Sequence, residues 1–191
     1  MNKRLVFVSC IAMSCFFMSC KNGESSDSKK VADEQNEHKE DSGVLNKRMD
    51  DDADFLSEVS SGVHMEVELG NYAVKNAASP KVKEFGRRMA TDHGKDIDEV
   101  KQLASKKNIT IPAAPGEKFQ KHIDDLEKET GAQFDKDYMS YMVSDHHDDI
   151  DEFDKEVKNG KDSDIVAFAQ KDLPVLHQHL TMAKTIYDGL K

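Results

Sequence analysis

From residue 51 onward, apolar residues recur every third or fourth position, and no run alternates apolar and polar with a period of two. Glycine and proline divide this region into segments of helical pattern. A first long helix is predicted over about 51–78, with acidic residues in its first turn, where the helix dipole favours them. Ser79-Pro80 opens a second: serine caps, and proline fits the first helical position. That helix runs to about 107, where 108-NITIPAAPG-116 breaks the pattern. A short amphipathic helix follows over about 117–130, with Phe119, Ile123 and Leu126 on one side. Asp135 is the expected cap of a third long helix that ends at Lys158-Asn159-Gly160. Asp162 caps a fourth, running to about 190, and Pro174 is expected to bend it. The first and last connections are tight and the middle one is long. The spacing therefore predicts an all-α fold: a four-helix bundle of two hairpins, with the short helix in the crossover.

Which polar residues face inward follows from the helical angle. Positions seven or eleven residues apart lie within about 20° of one another. Glu66 aligns with Phe55, Val59, Ala73 and Ala77. His93 aligns with Val82, Gly86, Val100 and Ala104, and His146 with Met139, Phe153 and Val157. His179 aligns with Phe168, Ile186 and Leu190, and also with Asp172. Each long helix thus places one ionisable residue at the centre of its apolar face. Counted from the predicted turns, all four fall near mid-bundle. His64, His147 and His177 align with polar residues and are expected to be exposed. His122 has mixed surroundings.

Burying a carboxylate and three imidazoles is costly unless they pair with one another or bind something. Such a donor set suits a single transition-metal ion: Zn, Fe, Mn or Cu. The same residues could instead form a metal-free Glu/His network that fixes helix register, or an acid/base site without metal. Asp92, Asp96, Asp145 and Asp149 border the apolar stripes. Asp92 and Asp145 are the candidates to hold a ligating imidazole in one tautomer. No Ser-His-Asp order, phosphate loop or reactive cysteine points to catalysis. The acidic run 144-SDHHDDIDEFD-154 is no EF-hand loop, because its sixth position holds no glycine and its pattern is helical.

The N-terminal region changes the picture of where the domain resides. Residues 1–19 read as an export signal: Lys3 and Arg4 precede an apolar stretch, and Ser19 precedes Cys20. The ending 16-FFMSC-20 resembles a bacterial lipobox, which implies cleavage before Cys20 and lipidation of that residue. Several acyl chains on one residue give a stable membrane anchor. Residues 20–50 are expected to be the lipidated cysteine and a flexible tether, since they hold almost no large apolar side chains. The folded domain is then 51–191, with no cysteine for disulfides. A formal charge of −10 argues against nucleic-acid binding.

Three stretches, 55-FLSEVSSGVHMEVELGNYAVKNAASPKVKEFGRRMATDHGK-95, 134-FDKDYMSYMVSDH-146 and 173-LPVLHQHLTMA-183, resemble domain-of-unknown-function family 4142. The resemblance covers about 51–190 and implies a ferritin-like fold and an outer-membrane location; with the lipobox, this chain is expected to be lipid-anchored in the outer membrane and to face the periplasm. It implies no established activity. The residues three before the histidines are Ala90, Val143 and Leu176, so the Glu-x-x-His pattern of di-iron bundles is missing. The expectation is a cell-envelope lipoprotein with a helical domain that holds one metal ion, or alternatively a non-enzymatic structural or interaction lipoprotein.

Overall fold

The computed structural model describes residues 27–43 and 50–190. The expected signal over 1–19, Cys20 and the tether segments 20–26 and 44–49 lie outside the described residues. The described chain is all-α, with six helices: α1 (Ser28–Asp41), α2 (Asp50–Asn76), α3 (Pro80–Lys107), α4 (Glu117–Leu126), α5 (Gly131–Asn159) and α6 (Ser163–Asp188). None of these helices is long and apolar enough to cross a membrane.

Most boundaries follow local chemistry. Ser79 is extended and Pro80 begins α3, but the Ser79 side chain makes no capping hydrogen bond, contrary to expectation. Asn108 ends that helix in the left-handed region at φ 58°, and the Ile109 amide donates back to the Ala104 carbonyl. The Asp162 carboxylate caps α6 by accepting from the amides of Asp164 and Ile165. That helix runs unbroken through Pro174.

Helices α2 and α3 form one tight hairpin, and α5 and α6 form another. The first is close enough for backbones to touch. A methyl group at Gly70 would lie 2.6 Å from the Gly86 carbonyl oxygen, and one at Gly86 would lie 2.7 Å from the Ala73 methyl. Only glycine permits that approach. The two hairpins meet along α2–α5 and α3–α6.

Two aspartates lock the hairpins together, and one of them corrects an expectation. Asp135 does not cap its own helix. Thr130 is the residue before α5, and Asp135 lies inside the helix, buried. Its carboxylate reaches across to the α2–α3 turn and accepts from the amides of Ala78 (2.9 Å) and Ser79 (2.7 Å). Asp52, near the start of α2, does the same at the other end. It accepts from the amides of Lys161 (2.9 Å) and Asp162 (2.6 Å) between α5 and α6. Each hairpin thus caps the turn of the other.

Helix α1 departs from the expected tether. It is held by polar contacts rather than by large apolar ones, so hydrophobic periodicity could not reveal it. Only Ala32 and Asn36 are buried. The Asn36 side chain donates to the Thr110 carbonyl at 2.8 Å and accepts from the Thr110 amide at 2.7 Å. Lys39 donates to the Asn108 carbonyl (2.9 Å), Ser28 to the Ala114 carbonyl (2.7 Å), and Ser57 of α2 to Asp33 (2.5 Å). The helix thereby satisfies backbone groups of the irregular 108–116 connection.

The core divides into two apolar clusters. One holds Phe55, Phe153 and Phe168 near the α5–α6 turn. The other holds Met65, Met89, Phe134, Tyr138 and Met142 near the α2–α3 turn. The layer between them is polar.

Candidate metal centre

That layer contains Glu66 from α2, His93 from α3, His146 from α5 and His179 from α6. Each is at most 2% exposed. The ring centroids of the three histidines are 5.9 Å (His93–His146), 5.2 Å (His93–His179) and 5.6 Å (His146–His179) apart. One nitrogen from each ring lies within 4.8 Å of the other two. Two hairpins contribute, so the group exists only when they stack in register.

The remaining nitrogen of each ring has an acceptor. His93 Nδ1 is 3.0 Å from the Asp96 carboxylate, His146 Nδ1 is 3.0 Å from the Met142 carbonyl, and His179 Nε2 is 3.2 Å from the Asp92 carboxylate. Carbonyls and carboxylates only accept, so those nitrogens carry the protons. The other three, His93 Nε2, His146 Nε2 and His179 Nδ1, are then bare lone pairs. All three are buried and have no hydrogen-bond partner. Metal-binding imidazoles show this arrangement: the outer N–H is held and the inner nitrogen is free to ligate.

Glu66 approaches the same space. Its Oε1 lies 3.3 Å from His93 Nε2 and 3.5 Å from His146 Nε2. Neither approach has the geometry of a hydrogen bond, and Glu66 Oε1 is itself without a partner. Acceptors facing one another at this distance need a proton or a metal ion between them. Ligands on a tetrahedron about 2.0–2.1 Å from a metal are separated by about 3.3–3.4 Å, close to the two Glu66–imidazole distances. Glu66 is not within 4.8 Å of all three imidazoles together; it falls in a second group with Asp145, His146 and Asp149. These buried histidines and carboxylates could hold a metal ion.

Electrostatics agree with the geometry. Burial raises the Glu66 carboxyl well above the usual range, and Asp149, Asp145 and Asp96 reinforce it. Burial depresses His146 well below the ordinary imidazole value, with His93 and His179 adding to the effect. His179 falls to about 4, again through burial first and His93 second, with Asp92 opposing. Burial would raise Asp92, but Arg88, Lys95 and His179 outweigh it and hold that carboxyl at about 2. Two imidazoles are thus kept neutral, as ligands must be, and Asp92 stays anionic to orient one of them.

Of the four inward residues expected from helical geometry, the three histidines form one group and Glu66 approaches two of them. Asp92 does hold an imidazole, that of His179 on the other hairpin. Asp145 does not. It is one residue before His146 and so about 100° round the helix, on the side of α4, where one of its oxygens still lies within 4.8 Å of ligand atoms of Glu66 and His146. Its neighbours there are Tyr141, Lys118 and Phe119. The holder of His93 is Asp96, three residues on, a spacing that already puts it beside the ring. His64 is half-buried and bonds the Ser60 carbonyl (2.6 Å); His38, His122, His147 and His177 are exposed. His122 stacks on Tyr141 at 4.4 Å.

No curated protein and no solved structure matches this chain. The pattern of one family, described as a domain of unknown function (DUF4142), matches residues 31–186. That span runs from the first turn of α1 to the last turn of α6 and includes every residue of the polar layer. The chain therefore belongs to the DUF4142 family.

Proposed function

We propose that this protein is a cell-envelope lipoprotein, anchored through Cys20 and facing the periplasm from the outer membrane, whose helical domain holds one transition-metal ion. The domain is read as a ferritin-like four-helix bundle of α2, α3, α5 and α6, with α1 and α4 packed outside it. The observation that carries the metal reading is the set of three bare imidazole nitrogens, each with its opposite N–H held by an acceptor. His93, His146 and His179 would ligate directly and Glu66 would complete the sphere. Three imidazoles with one carboxylate favour Zn or Cu over Mn and Fe, which take more oxygen ligands. The ion's role is storage, sensing or stability.

A metal-free network, with a protonated Glu66 between His93 and His146, is the competing reading. Burial does favour that proton. One proton, however, satisfies one imidazole and leaves the other two orphaned. Elemental analysis of the purified protein, beside a His93→Ala/His146→Ala variant, separates the two. The expected result is close to one metal ion per chain in the wild type and almost none in the variant. A metal-free wild type whose melting temperature ignores added Zn, Cu, Fe and Mn would overturn the proposal in favour of the network.

A further inference from the structure

A surface cleft of about 170 Å³ opens where α4 crosses α5, and Asp145 and Asp149 line it. A smaller space of about 30 Å³ adjoins it, lined by Glu66, His93 and again Asp149. That volume suits a bare ion or one or two waters. Asp149 lies where the two spaces meet. One oxygen from each of Glu66, Asp145 and Asp149 falls within 4.8 Å of the other two.

This group differs from a solvated acidic surface. Glu66 is 2% exposed and Asp145 is 7% exposed. Each has a buried oxygen, Glu66 Oε1 and Asp145 Oδ2, with no hydrogen-bond partner. Among the described residues, none of the three carboxylates pairs with a lysine or arginine. The nearby ammonium of Lys118 is 3.2 Å from Glu58 and lies over the Phe119 ring instead. Like charges crowded in a low-dielectric space are unstable together unless protons neutralise them or a cation joins them. His146 cannot supply a ligand here and to the imidazole group at once. A His146 nitrogen lies within 4.8 Å of ligand atoms in both groups, but its Nδ1 is committed to the Met142 carbonyl and its single remaining lone pair, on Nε2, can bind one ion only, so we assign it to the imidazole group.

We infer that Glu66, Asp145 and Asp149 form a second cation subsite, made of oxygen ligands only and reached from the α4–α5 cleft. An all-carboxylate set selects a hard divalent ion such as Mn(II) or Ca(II), which keeps waters in its remaining positions. The imidazole group selects a softer one. Glu66 borders both, so the layer is built for two unlike cations side by side. Asp145 and Asp149 are not needed by the imidazole group, so the subsite is tested separately through them, although Glu66 is shared with the proposed imidazole site.

The test uses the full chain in mild detergent, first given one equivalent of Zn(II) and then titrated with Mn(II). Free Mn(II) is read by its electron paramagnetic resonance signal. One Mn(II) per chain should lose that signal. Binding should weaken by about tenfold or more in Asp145→Asn/Asp149→Asn, and by a smaller factor in Asp149→Asn alone. Both changes are near-isosteric, and a melting curve confirms folding. His93→Gln/His179→Gln should lose the Zn(II) and keep the Mn(II). If the wild type binds Zn(II) while Mn(II) stays free, or if the Asn variants bind Mn(II) as the wild type does, the subsite is refuted and the imidazole site stands. If Mn(II) binds in an aspartate-dependent way and Zn(II) does not bind, the imidazole reading fails and this one stands.

Discussion

Removing the Asp135 carboxylate should loosen the seam that puts the metal centre together. Its two oxygens accept from the Ala78 and Ser79 amides at 2.9 and 2.7 Å, across the gap between the hairpins. Hydrogen bonds to a charged group contribute about 1.5–3 kcal/mol each, so Asp135→Ala could cost about 3–6 kcal/mol. Two effects reduce that figure. The charge no longer has to be buried, and Ala78 is exposed, so water can reach the freed turn. A cost of about 2–4 kcal/mol remains. Asp135→Asn keeps one acceptor oxygen and should cost about half as much. Urea denaturation followed by circular dichroism measures both. With a slope of about 2 kcal/mol per molar, the Ala variant should shift the midpoint down by about 1–2 M without changing the slope. Asp52→Ala should behave alike, and because the two clamps occupy opposite ends of the hairpins, their effects should add. Midpoints within about 0.3 M of wild type for both Ala variants would refute the clamp.

Three further outcomes follow from particular contacts. Gly86→Ala should destabilise by about 1–3 kcal/mol through its clash with Ala73, whereas Gly94→Ala, whose methyl meets nothing within 4 Å, should stabilise by about 0.5–1 kcal/mol; thermal melts showing equal effects would contradict the close approach of α2 and α3. Burial, then Asp52, Asp51 and Asp162, push the Glu156 carboxyl up to about 7. The folded state therefore holds a proton that the unfolded chain has released, and this contribution is full below about pH 4 and lost as pH rises through about 7. Glu156→Gln should thus show a smaller fall in melting temperature between pH 5 and 8.5 than wild type, while the depressed His179 works oppositely in both proteins and drops out of the difference. Asp92→Asn should weaken metal binding by about 10–100-fold in competition with a chromophoric chelator, because it slackens the hold on His179; unchanged affinity would show that Asp92 does not position the ring.

The long helices and the inward direction of Glu66, His93, His146 and His179 were legible in the sequence. Both depend on a local regularity: about 3.6 residues per turn fixes which side chains share a face, whatever the helix packs against. The helix start at Pro80, the break at 108 and the Asp162 cap are legible for the same reason, since they rest on a residue's own neighbours. Helix α1 was not legible, because Asn36 and Lys39 dock through amides and carbonyls that carry no hydrophobic period. Asp135 was misplaced for a similar reason: an aspartate near a helix start reads as a cap, and only the opposing turn shows that its partners lie across the seam.

The sequence by itself thus determined which residues turn inward, and hence that this acidic chain buries three imidazoles and a carboxylate. It could not decide their partners. Asp92 serves His179 and not its own neighbour His93, Asp96 holds His93, and Asp145 and Asp149 gather beside Glu66. Those pairings were decided by how one hairpin is seated on the other, through contacts between residues some 50 to 110 positions apart, such as Asp135 with Ser79 and Asp52 with Asp162. A helix dictates direction along its own axis, but distance between side chains on different helices exists only after the helices have packed.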